Sequence, residues 1–210
     1  MTLKIVVSVM FTAFAFGAFG GSAANAVSRI PPVDGVGAIG TCSLVAAVQF
    51  TPGLTVGGTN PAVRSKFKGM VTPCTGATGD ALSIRSGGIK GGTIGAFATS
   101  SCAVLGTTGL TSFPLTVKWK VVPKTPPLNP SFIVVNAAPS SSIGVGTGPN
   151  GSITMTLTGT VTYGSFKGNA IALHVVTDES QAAYIAACNS AAAFRGFHFT
   201  GVNGASTFTG

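Results

Sequence analysis

Arg64, Lys66 and Lys68 stand at alternate positions of "RSKFKGM", and Lys118 and Lys120 repeat that spacing in "TVKWKV". An extended strand turns successive side chains to opposite faces, so these cations project from one side while Phe67, Val71, Val117 and Trp119 take the other. If the two strands share a sheet, the five charges form one basic face. The chemistry open to such a face is electrostatic holding of anions: envelope polymers, acidic glycans or phosphate groups. Solubility and the protection of sheet edges by lysine account for the same spacing. The whole chain leans the same way, with twelve Lys and Arg against four Asp and Glu. Nucleic acid is not an expected partner, because Trp119 falls with the core set and no exposed aromatics interleave with the basic residues.

Acid–base or nucleophilic chemistry has little to draw on. The acids are Asp34, Asp80, Asp178 and Glu179. Asp34 in "PPVDG" and Asp80 in "ATGD" suit turns, where an aspartate accepts from nearby backbone amides. Asp178 and Glu179 precede "SQAAYIAACN", which reads as a short helix with Gln181, Ile185 and Cys188 on one face. Asp178 then fits the N-cap, Gln181 the reciprocal place of a capping box, and Glu179 the first turn. His174 in "IALHVV" and His198 in "GFHFT" alternate with apolar neighbours and belong on polar strand faces. A zinc site wants three or four protein ligands, and a hydrolase triad wants serine in a recognisable elbow; neither context is present. The sequence therefore predicts a non-enzymatic protein with no cofactor and no metal, a secreted hydrolase being the most distant alternative.

The elements that carry these residues follow a leader. Lys4, the apolar run "IVVSVMFTAFAFGAF" and the small residues "GGSAANA" form a secretory signal over residues 1–26, cut after Ala26. No later apolar run has spanning length, so no transmembrane anchor is expected after cleavage. Residues 27–40 read as a flexible approach and 41–210 as a single β-rich domain. An even count of cysteines in an exported chain favours disulfides over metal. Cys42, Cys74, Cys102 and Cys188 allow three pairings, and we expect Cys42 with Cys74 and Cys102 with Cys188.

Short strands broken by glycine-rich turns predict an all-β antiparallel sandwich, Ig-like or jelly-roll-like, with one short helix. Thirty glycines fit many tight turns and leave little room for long helices. In "ITMTLTGTVT", Thr154, Thr156, Thr158, Thr160 and Thr162 alternate with Ile153, Met155, Leu157, Gly159 and Val161. The threonines are then the wet face of a strand whose other face is core. An ice-binding face would need several such flat ranks, and one strand supplies one. "APSSSIGVGTGPNG" reads as a mobile surface loop.

The segments "TCSLVAAVQFTPGLT", "VTPCTG", "SSCAVLG", "GTVTYGSFKGN" and "YIAACNS" together resemble a group of secreted, four-cysteine, Gly/Thr-rich proteins of mycobacteria and related actinobacteria, of unknown function. The resemblance implies a released or envelope-associated extracellular β-protein and supplies no active site. The functional expectation is binding of anionic components at the bacterial cell envelope. A structural, self-associating surface protein is the alternative.

Overall fold

The computed structural model describes residues 30–56, 64–94, 102, 111–123, 125–144, 148, 151–201 and 206–209. The expected signal segment, residues 1–26, and its expected cleavage point lie outside the described residues. Among the described residues ten strands form one bonded antiparallel system: β1 Gly40–Leu54, β2 Arg64–Thr75, β3 Ile84–Ile94, β4 Phe113–Val121, β5 Ser131–Val135, β6 Ser142–Gly144, β7 Ser152–Tyr163, β8 Ala170–Ser180, β9 Phe194–Gly201 and β10 Ser206–Thr209. The helix α1 spans Gln181–Cys188.

Each strand is bonded to the next from β1 to β5, β5 joins β7, and β7, β8 and β9 lead back to β1. The ladder therefore runs as a circuit. β9 and β10 lie end to end between β1 and β8, while β5 and β6 lie end to end along β7. Closure of this kind satisfies backbone groups that an open sheet leaves at its edges. Inward side chains of the strands meet in one core, with Leu44, Ile89, Leu115, Ile133, Leu157 and Leu173 among the most deeply buried. The all-β antiparallel class, the short helix and both expected disulfides are present: Cys42–Cys74 and Cys102–Cys188.

Sequence pattern and structure differ where glycine hides a strand. "ALSIRSG" and "GTIGAFA" read as two strands, yet a 3-10 turn over Gly79–Ser83 is followed by one strand, β3, that runs to Ile94; residues 95–98 lie outside the described residues. Gly87 and Gly91 occupy inward positions of β3, where an added Cβ would strike Trp119 and Leu115 of β4. The bare backbone makes room for two large core residues. Gly164 has φ +82°, and a side chain there would overlap the Pro130 carbonyl, so the turn after β7 requires glycine.

Residues 33–39 form a strap across loops from three other parts of the chain. Val33 donates to Pro127 O, Gly35 N to Ser165 Oγ, Val36 N to Asp80 Oδ2 and Ala38 N to Thr78 Oγ1. These bonds join Val33, Gly35, Val36 and Ala38 of the amino-terminal approach to the body of the fold. The expected surface loop after β5 likewise contains β6 and the buried Ser141, whose Oγ bonds the Thr158 backbone.

The helix is capped differently from expectation. β8 continues to Ser180, so Ser180 is the N-cap and its side chain accepts from Ala183 N. Asp178 is still in the strand, and Gln181 opens the helix instead of sitting three residues into it. The buried face is Tyr184 and Cys188, one turn apart, with Ile185 exposed. Tyr184 donates its hydroxyl to Cys102 O beside the disulfide and packs edge-on against Phe194. Burial pushes its pKa up to about 12 from 10.

The folded state holds the Tyr184 proton more tightly than the unfolded state, so this stabilisation is complete below pH 10 and declines as pH rises towards 12. The expected loss across that window is roughly 2 to 3 kcal/mol. In a Tyr163→Phe background, phenolate absorbance reports Tyr184 alone, and it should rise together with unfolding. Ionisation near pH 10 with the fold intact would refute the account.

Candidate anion-binding face

β2 and β4 are not neighbours; β3 lies between them, and its pairing sets the pattern of charge. Lys66 faces Gly92 and Lys68 faces Lys90, while Gly88 faces Lys118 and Ser86 faces Lys120. Arg64 stands opposite Ile94 and Lys120 opposite Ser86, so the cations advance diagonally over three strands. At ordinary strand dimensions the stripe is ~27 Å long and ~10 Å wide. Arg64, Lys66, Lys68, Lys90, Lys118 and Lys120 are all exposed. The five basic residues expected to share a face do lie on one outward surface.

Lys90 was not anticipated; its alternation with the buried Ile89 in "SGGIKGG" is the local signal for it, masked by the surrounding glycines. Like charges directly opposite each other in a sheet oppose pairing. The Lys68–Lys90 juxtaposition therefore carries a cost that a merely soluble surface does not require. Gly88, between Met70 and Lys118, adds no side chain to the surface.

Among the described residues no carboxylate pairs with the stripe. Asp34 accepts from Asn129 Nδ2 at 2.9 Å, and Asp80 holds the strap. Asp178 accepts from Thr200 Oγ1 at 2.7 Å, and Glu179 pairs with His198 Nδ1 at 2.9 Å. Among the described residues that last contact is the one close approach of a carboxylate to a basic side chain, and it is an ion pair only when His198 is protonated. In register, Lys68 is followed by Ala47 of β1 and then His198 of β9, so the acidic corner begins two strands away. A shallow depression of about 390 Å³ joins the two regions, with Met70, Lys68, Asp178 and His198 on its lining.

His198 is 73% exposed, and His174 is exposed with Nδ1 at 3.1 Å from Thr156 Oγ1. Among the described residues no group of three His, Cys, Asp or Glu is placed to hold a metal ion. The threonine ladder is engaged with its neighbours: Thr158 Oγ1 donates to Ser140 O and Thr162 Oγ1 to Phe132 O. Its inward partners are core, as the alternation predicts.

Two aromatic residues extend the basic surface on its other side. The register continues from Lys68 through Lys90, Thr116 and Phe132 to Tyr163. Phe132 is 42% exposed and Tyr163 69%, with ring centroids 5.7 Å apart. They flank the stripe and do not interleave with it. Phe132 alternates with Ile133 and Val135, buried on the core side, which is the sequence signal for its outward position. Trp119 points inward as expected, donating Nε1 to Ser131 Oγ at 2.8 Å and meeting Phe166 edge-on.

Beyond Tyr163 lies a cleft of about 290 Å³ formed where the strap crosses the β7–β8 turn. Asp34, Lys167 and Asn169 supply its polar side chains. Among the described residues no helix is long and apolar enough to cross a membrane. No protein-family model, curated protein or solved structure matches the chain.

Proposed function

We propose that this is an exported, non-enzymatic protein that binds anionic components of the bacterial cell envelope through the outward face of β2, β3 and β4. The observation that carries the reading is the diagonal stripe of six exposed cations with no carboxylate among them. Two disulfides suit an oxidising extracellular location. Self-assembly through strand edges is the weaker reading, because among the described residues the circuit of ladders leaves few edges to pair.

Co-sedimentation of the mature protein with isolated actinobacterial envelope tests this at low and high salt. Exposed charges are screened within about 10 Å at 0.1 M salt, so pelleting with envelope at low salt should be lost at high salt. Sedimentation of the protein alone, insensitive to salt, would favour self-assembly. A protein that stays in the supernatant throughout does not use this face for envelope binding.

A further inference from the structure

The cationic stripe, the aromatic pair and the cleft are adjoining parts of one surface. Phe132 is two strands from Lys90, ~10 Å away, and lies diagonally beside Lys118 in the β4–β5 register. Tyr163 belongs to both the aromatic pair and the cleft wall. Resting on the anion-binding reading above, we infer that the ligand is an acidic glycan. One of its sugar rings packs on Tyr163 and Phe132, its acidic groups lie along Lys90 and Lys118, and its hydroxyls reach the cleft.

The chemistry selects this class over a bare polyanion. The C–H face of a pyranose is apolar and packs on an aromatic ring, whereas a polyphosphate has no such face. Asp34 can only accept hydrogen bonds when ionised, and Lys167 can only donate. A sugar hydroxyl can serve both, but a phosphate chain meets repulsion at Asp34. The same carboxylate disfavours phosphate-rich ligands at this end of the stripe. A single-stranded nucleic acid would need aromatics spaced along its track for successive bases. Here the two rings touch each other at one flank, which offers one stacking place.

The test uses the intact mature protein and four probes: a soluble polyuronate, its carboxyl-reduced neutral counterpart, inorganic polyphosphate and a single-stranded oligonucleotide, the three anions matched in charge. Wild type should bind polyuronate about tenfold more tightly than polyphosphate, the step given by burying part of one sugar face on the two rings, and should not retain the neutral polymer. Tyr163→Ala should bring polyuronate binding down to the polyphosphate level. Phe132→Ala supplies a second probe of the platform, and circular dichroism checks that both variants fold. Lys90→Gln with Lys118→Gln should weaken polyuronate and polyphosphate together.

Equal binding of the two polymers, unchanged by Tyr163→Ala, would overturn the glycan inference and leave a charge-only binding face. Failure of every anion to bind would overturn the anion-binding reading itself. Tighter binding of the oligonucleotide, lost in Tyr163→Ala, would overturn the assignment in favour of nucleic acid.

Discussion

Replacing Cys102 and Cys188 together by alanine lowers the unfolding free energy by roughly 4 to 5 kcal/mol on the chain-entropy account, and removing the Cys42–Cys74 bridge lowers it by roughly 3 to 4. The difference follows from the closed loops, with sequence separations of 86 and 32. The larger value also has a local cause. Cys102 is held to α1 by the disulfide and by Tyr184, and to β1's end by its N–H donating to Thr55 O. Breaking the bridge therefore loosens a junction of helix, strand and connecting segment. Denaturant titration of both double variants measures the two losses. Equal losses, or a greater loss for the Cys42–Cys74 pair, would show that loop length does not govern this stabilisation.

Exchanging Lys66, Lys68, Lys118 and Lys120 for glutamine reduces affinity for anionic envelope at low salt by about two to three orders of magnitude, at ~1 kcal/mol per surface cation. The slope of affinity against salt should flatten in the same variant. All four side chains are exposed, so their exchange should leave the folded core intact. Relief of the Lys68–Lys90 repulsion works in favour of the fold. The informative control exchanges Arg195, exposed on β9 outside the stripe, for glutamine. A comparable loss from that single change would mean that net charge, not the stripe, governs binding.

The strands were legible because their core-facing residues recur at every second position, as in Ile153, Met155 and Leu157. The cysteine pairing also agreed with the sequence reading, although spacing alone left three possibilities. What the sequence did not reveal depends on contacts between distant residues. Val45 and Thr200 are ladder partners with no local pattern that joins them. The strap at residues 33–39 is held by Thr78, Asp80 and Ser165, none of which its own composition announces. The cap of α1 depended on how far β8 extends, and Ser180 displaced Asp178 because the ladder continues opposite Ser152.

The basic face was legible as two alternating runs, but its diagonal form was not. That form comes from the β2–β3 and β3–β4 registers, which also bring Lys90 between the expected cations. Phe132 could have been assigned an outward position from its alternation with Ile133 and Val135, whereas Tyr163 shares the parity of buried Val161 and is outward only beyond the register shift between Phe132 and Ile133. Their meeting required knowledge that β5 pairs with β7 across the intervening β6 segment.

The circuit also imposes a timetable on the nascent chain. β1 finds β2 early, but its other side is bonded by β9 and β10, the last strands to become available. Until then, Ala46, Val48 and Phe50 lack the neighbours that Phe197 and Phe199 bring from β9. Pairing the beginning of a chain with its end gives a high contact order, which slows folding and prolongs the exposure of apolar strand surface. The topology that leaves the finished protein with few reactive edges thus makes its half-made form the vulnerable one: a chain released before Phe194 carries a β1 with one side unpaired.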